Sequence, residues 1–178
     1  HIFYWLTDNR PSMTKSLKRP KGLPDFDSPP INEVVLGVQF TPPAGYQQIR
    51  AGEVWSLFKD NYPKVEEQSP LPPQFETFGI PQQQRINFGL VSGGQHDRFW
   101  FLSESGEQLL QFQLDRFLHN WRKVEDETNP YPHFESMINS FEKELRKFEA
   151  YVSKLQTQKL NCNQAEVSYI NHIAQSAN

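Results

Sequence analysis

Gln108–Lys123 reads QLLQFQLDRFLHNWRK, and how this stretch folds decides how the rest of the chain is arranged. At period two, Leu110, Phe112, Leu114 and Leu118 fall on one side and Gln111, Gln113, Asp115 and His119 on the other, the alternation of a strand with one apolar face. A solvated strand face ordinarily carries Lys, Glu and Thr. This one carries two amides and a carboxylate, flanked by Arg116, Asn120, Trp121 and Arg122, so the polar side is expected to be partly buried and hydrogen-bonded within itself. At roughly 3.3 Å per residue the stretch is long for one strand, which predicts a bulge or a strand end between Asp115 and Phe117.

Upstream, Arg98–Ser103 (RFWFLS) and Arg85–Val91 (RINFGLV) read as strands joined by the Gly-rich SGGQHD turn, and SESGEQ leads on into the anchoring stretch. Together they predict a three-strand antiparallel meander. Gly93-Gly94 lacks the Gly-Lys-Ser/Thr ending of a phosphate loop and opens no helix. Earlier still, INEVVLGVQF at Ile31–Phe40 alternates Val34, Leu36, Val38 and Phe40 against Glu33, Val35, Gly37 and Gln39, and the prolines at 29–30 and 42–43 fix its limits. Gly37 leaves space on the polar side for something bulky. Tyr46–Asn61 is expected to be a helix stopped by Pro63, with Ala51, Trp55, Phe58 and Tyr62 in one stripe. Lys64–Pro81, rich in Pro, Gln and Glu, is expected to be a long surface loop tethered by Phe75 and Phe78.

Downstream, Thr128–Pro132 breaks the chain. His133–Gln156 then gives the clearest helical pattern: Phe134, Met137, Ile138, Phe141, Leu145, Phe148, Val152 and Leu155 recur at spacings of three, four and seven. Glu142 with Arg146 and Glu144 with Lys147 are placed to pair on its wet face, each pair contributing ~0.2–0.5 kcal/mol. Ala165–Ile173 closes the chain as a strand. The order strand, helix, three strands, helix, strand predicts an α+β fold, a mainly antiparallel sheet with helices packed on one face. The expected layout is a flexible arm over residues 1–30 and a single domain over 31–178.

Composition sets the class. A chain of 178 residues can bury a real core, and although hydrophobic content is only 37%, aromatics at 13% supply large buried areas from few positions. A net charge of −3 gives no general attraction to nucleic acid or anionic lipid. The lone Cys162 excludes an internal disulfide and suits a reducing, cytoplasmic setting; it has no partner pattern for a nucleophile. The opening HIFYWLTDNRPS has an apolar core too short for a signal peptide or a membrane span, so no membrane association is expected. Met13-Thr14-Lys15-Ser16 reads as an ordinary translation start, and the residues before it are assigned no role. The basic leader carrying Lys15, Lys18, Arg19 and Lys21 reads as a solvated tail first and as a nucleic-acid contact second.

Three blocks in order resemble the signature of a sporadically distributed bacterial family of uncharacterised function: Ser28–Phe40 (SPPINEVVLGVQF), Leu110–Lys123 (LQFQLDRFLHNWRK) with Tyr131-Pro132 following, and Glu166–Ile173 (EVSYINHI). The resemblance implies no reaction, cofactor or catalytic residue. It implies that this chain corresponds to the N-terminal part of longer members, with a surface beside Ala165–Ile173 that a second half would cover. Patchy distribution is compatible with an accessory role in a defence or toxin–antitoxin-like system.

Gln111, Gln113, Asp115, Arg116, His119, Asn120, Trp121 and Arg122 form the candidate site. Amides and guanidinium groups suit a planar or anionic ligand, and Trp121 offers a ring to stack on. The bland reading is that Asp115 and Arg116 or Arg122 satisfy each other at a strand end. No metal is expected, because His96, His119, His133 and His172 share no ligand spacing, and no cofactor motif is present. The leading functional reading is a non-catalytic module that holds a protein partner or a small polar ligand, with self-association open. The others are an enzyme or nucleotide-handling protein with its site at Asp115–Arg122, and nucleic-acid binding through the basic arm.

Overall fold

The computed structural model describes residues 17–23, 29–72, 97–124 and 129–171. Within them the chain runs β1 (Ile31–Phe40), α1 (Ala51–Ser56), β2 (Lys64–Gln68), β3 (Arg98–Leu102), β4 (Gln108–Gln113), β5 (Arg116–Arg122), α2 (Phe134–Leu155) and β6 (Cys162–Asn171). The strands form one sheet in the order β2-β3-β4-β5-β1-β6, and every neighbouring pair is antiparallel. This is the expected α+β architecture. The strand expected at Arg85–Val91, the Phe75 and Phe78 tethers, Gly93-Gly94, His96, His172 and the residues before Leu17 lie outside the described residues.

The anchoring stretch is a hairpin, with Leu114–Asp115 as its turn and Gln113 facing Arg116 across it. The strand end expected near Asp115 is therefore a reversal, and it corrects the face assignment. Directly facing residues share a face, and a two-residue turn sets even positions of β4 opposite odd positions of β5: Phe112 faces Phe117, Leu110 faces His119 and Gln111 faces Leu118. Leu118 belongs to the polar side, and His119 and Trp121 to the apolar side, opposite to what a continuous strand gives for Leu118 and His119.

Three other expectations are revised. Lys64–Gln68 is a strand: its sequence KVEEQ is nearly all exposed and carries three charges because it forms an edge of the sheet, where one row of backbone groups faces away from the other strands. The first helix is shorter than Tyr46–Asn61; a 3-10 turn at Gln48–Arg50 precedes Ala51–Ser56, and turns bonded from Leu57, Phe58 and Tyr62 back to Val54, Trp55 and Phe58 follow it. Glu144 does not sit on the wet face of α2 beside Lys147. It turns inward to His119 and Tyr62, while Glu142–Arg146 forms the expected pair.

The core lies between α2 and the face of the sheet that carries Val34, Leu36, Val38, Phe40, Phe101, Leu110, Phe112, Phe117 and Trp121. From α2 it takes Met137, Phe141, Leu145, Phe148, Tyr151 and Val152, the helical stripe read from the sequence. Phe117 is the hub. Its ring stacks on Phe148 at 5.2 Å with planes 4° apart, and lies 5.6 Å from Phe58 and 6.2 Å from Phe141, so one side chain meets both helical regions. Rings of this size bury ~150–250 Å² each, which is how a chain of modest hydrophobic content closes a core.

The basic leader is partly tied down. The Leu17 backbone exchanges two hydrogen bonds with the Asn139 side chain, and the Arg19 guanidinium meets His133 Nδ1 at 3.0 Å. His133 enters α2 at φ 62, a conformation that L-residues rarely adopt and that costs about 1–3 kcal/mol.

Candidate functional site

The face of the sheet away from α2 is polar, buried along β4, β5 and the second half of β1 and partly open at its margins. Arg98 and Trp100 (β3), Leu109, Gln111 and Gln113 (β4), Arg116, Leu118, Asn120 and Arg122 (β5), Glu33, Val35, Gly37 and Gln39 (β1) and Glu166, Ser168 and Ile170 (β6) all point to it, as the register requires. The space at Gly37 is taken by Leu118: a Cβ built there would lie 2.0 Å from Leu118 Cδ2. The bulky neighbour expected at Gly37 is therefore an adjacent-strand leucine rather than an aromatic ring or a crossing helix.

Across this face runs a chain of hydrogen bonds. Arg98 Nη1 and Trp100 Nε1 both donate to Gln111 Oε1, at 2.7 and 3.1 Å. Gln111 Nε2 donates to Asn120 Oδ1 at 2.9 Å, and Asn120 Nδ2 to Glu33 at 2.6 Å. At one end the chain after β2 crosses the same face and is read through its backbone. Gln113 bonds both the N–H and the carbonyl of Leu71, Arg116 donates to the Pro72 carbonyl and Arg98 to that of Ser69. Proline at 70 and 72 keeps that segment extended, so its carbonyls stay available to side-chain donors.

The cations are the unusual feature. Arg116 is 5% exposed, yet its bonds go to neutral acceptors, Gln39 Oε1 at 2.8 Å and the Pro72 carbonyl at 3.0 Å. Arg122 donates Nε to the Gly106 carbonyl at 2.8 Å. Arg98 and Arg122 both lie over the Trp100 ring, 5.5 and 5.9 Å from its centroid. Among the described residues none of these three guanidinium groups has a carboxylate within ion-pair distance; the pairs present are Arg50–Glu53, Lys64–Glu104, His119–Glu144 and Arg146–Glu142. Burial, and then the like charge of Arg116, hold the Arg98 guanidinium below its ordinary basicity. The expected pairing of Asp115 with Arg116 or Arg122 does not form. Asp115 instead accepts from Gln113 Nε2 at 3.0 Å within the turn.

These side chains line a half-open pocket of about 320 Å³ bounded by Arg98, Arg116, Arg122, Glu33, Glu166 and Trp100, with Val35, Leu109 and Leu118 as its apolar floor. A separate hollow of about 10 Å³ on the other side of Arg116 is no larger than a water molecule. Of the candidate residues, Gln111, Arg116, Asn120 and Arg122 line the cavity. Gln113 holds the crossing segment and Asp115 sits in the turn. Trp121 packs edge-on against Tyr131 on the core side, 5.5 Å between centroids.

His119, 1% exposed, lies on the core side too, where Glu144 accepts from it at 2.6 Å and from the Tyr62 hydroxyl at 2.5 Å. Burial, and then the Glu144 charge, push the Tyr62 hydroxyl far above its ordinary ionisation range. Arg98, Trp100, Glu33 and Glu166 were not among the candidates. The signal for the first two was the alternation RFWFL, in which Arg98 and Trp100 must face away from Phe99 and Phe101.

No group of His, Cys, Asp and Glu among the described residues is arranged to hold a metal, and no described helix is long and apolar enough to cross a membrane. Comparison with family models, curated proteins and solved structures gives no match to this chain.

Proposed function

We propose that this chain is a binding module that holds a small polar ligand carrying an anionic group in the cavity on the polar face of the sheet. The observation that carries this reading is the set of three guanidinium groups that line one cavity without a carboxylate partner among the described residues. A buried cation such as Arg116 is ordinarily paired, because removing it from water costs several kcal/mol that only an opposite charge or dense hydrogen bonding offsets. Arg116 and Arg98 each use two of the five N–H donors of a guanidinium on protein acceptors and Arg122 uses one, leaving further donors along the cavity for an oxyanion.

A catalytic reading built on Asp115 and His119 finds no support, since the two lie at a turn and on the opposite face of the sheet. Nucleic-acid binding through the leader is likewise unsupported at Arg19, whose guanidinium is taken up by His133. The test is native mass spectrometry on protein purified gently from its source, with and without a denaturing step. A small acidic species released on denaturation supports the reading. Protein that arrives empty and shows no heat of binding with phosphate, phosphomonoesters or dicarboxylates at matched ionic strength overturns it.

A further inference from the structure

We infer that β6 is the seat of a symmetric dimer: its outer edge pairs antiparallel with β6 of a second copy about a twofold axis at Val167, joining the two six-stranded sheets into one.

The sheet ends differently at its two edges. β2 is five residues long and carries three charges, the usual protection of an edge against pairing with another chain. β6 is ten residues long, its one charge is Glu166, and it contains neither lysine nor proline. None of its residues is buried, and Tyr169 and Ile170, on opposite faces, are 46% and 47% exposed. No described strand or loop bonds its outer backbone row. A long edge without charges to guard it is a template for another strand.

The register fixes which backbone groups that template offers. Asn32 accepts from Lys123 and Phe40 donates to Asp115, so the even-numbered residues of β1 turn their backbone groups to β5 and the odd-numbered ones to β6. Val35 and Gly37 therefore exchange bonds with Ser168 and Glu166. The alternate residues Ala165, Val167 and Tyr169 point their N–H and C=O groups away from the sheet.

These three residues complement themselves. With the axis at Val167, Val167 faces its own copy, and Ala165 and Tyr169 face the second copy's Tyr169 and Ala165, so each facing pair exchanges two bonds and every outward group of the three is satisfied. No other centre pairs all three with one another. On the α2 side of the sheet the tyrosine ring meets an alanine, large against small. On the polar side Glu166 faces the second copy's Ser168, whose hydroxyl is a group Glu166 already accepts from within its own chain at 2.9 Å. An axis one residue earlier sets the two Glu166 carboxylates directly opposite, which destabilises a strand pair. With no other charge on β6, the strand meets its own copy without repulsion and offers nothing for a charged partner to read.

The experiment is sedimentation velocity on the whole chain from about 1 μM to about 1 mM, a range that brackets dimers of ordinary strength. It is paired with hydrogen exchange resolved at Ala165, Val167 and Tyr169, and run on the wild type, Val167→Pro and Ser168→Glu. Proline at 167 removes an N–H that bonds nothing within its own sheet, and a melting curve for each variant checks folding. The expected result is a monomer–dimer equilibrium with no larger species, and exchange at the three amides that slows as concentration rises. Val167→Pro deletes both bonds at the axis and weakens the dimer at least about tenfold. Ser168→Glu sets carboxylates opposite Glu166 and weakens it more at low salt than at high salt. Should the proline variant fail to fold, Ser168→Glu and the wild-type exchange decide. A monomer at every concentration, growth beyond a dimer, or a dimer that Ser168→Glu leaves at full strength with the three amides exchanging freely overturns the inference.

Discussion

The two faces of this sheet handle buried polarity in opposite ways. On the side facing α2, the polar groups that enter the core are closed among themselves: His119 and Tyr62 both meet one Glu144 carboxylate, inside a cluster of rings centred on Phe117. On the other side, the buried Arg116 and the partly exposed Arg98 and Arg122 bond only neutral acceptors, around a space large enough for a ligand. A protein gains nothing in stability from the second arrangement, because the same burial with paired charges, or with apolar side chains, costs less. The first face matches its buried charge with partners, and the second leaves its guanidinium groups on neutral ones.

If that division is right, perturbations should separate cleanly by face. The largest effect is expected from Phe117→Ala, which removes the hub ring and should cost about 3–5 kcal/mol in urea unfolding. A loss under about 1 kcal/mol would mean that the core is not closed as described. Next, Glu144→Ala strands the Tyr62 hydroxyl and His119 together and should cost about 2–3 kcal/mol, because unmade buried hydrogen bonds carry the full desolvation penalty. Gly37→Ala, on the polar face, should cost about 1–3 kcal/mol, since the new methyl displaces Leu118 from the seat it occupies.

A pH scan sharpens the same contrast. An unfolded tyrosine ionises near pH 10, whereas burial and neighbouring carboxylates raise Tyr46 and Tyr62 and push Tyr151 up to about 12 in the folded chain. With the folded values raised, the unfolded chain releases protons first. Stability should therefore be intact below pH 10 and fall as the pH rises above it. Tyr62→Phe should shallow that fall, as followed by the urea midpoint; an unchanged slope would place the alkaline loss elsewhere. The smallest stability change is expected for Arg98→Gln, within about 0.5 kcal/mol and of either sign, because it removes a repelled charge along with its bonds. A loss comparable to that of Glu144→Ala would show that the polar face is structural and undo the comparison.

Much of the fold was legible in the sequence. The α2 stripe and the β1 alternation are long enough for their periods to be unambiguous, and prolines bound β1 on both sides. The hairpin was legible only as a break. Leu114-Asp115 lacks the Asn-Gly or Asp-Gly signature of a tight turn, so the sequence carried no sign that the chain reverses. Everything assigned to a face beyond that point followed from it: His119 moved from the polar cluster to the core, and Leu118 moved the other way. β2 escaped notice because an edge strand of charged residues has no apolar alternation to read. The site was legible in part. Gln111, Arg116, Asn120 and Arg122 lie together because β4 and β5 are adjacent, and Arg98 joins them from the neighbouring β3, but Glu33 and Glu166 reach the cavity only through pairings distant in sequence.

The claim that these arginines await an anion is tested most directly by thermal melting in phosphate against chloride at matched ionic strength, for the wild type and an Arg98→Gln/Arg122→Gln variant. Phosphate strengthens burial in any protein, so the difference between the two chains is what counts. A bound anion should raise the wild-type melting temperature progressively with concentration, as mass action requires, and raise that of the variant far less. Equal shifts in both chains would contradict the account.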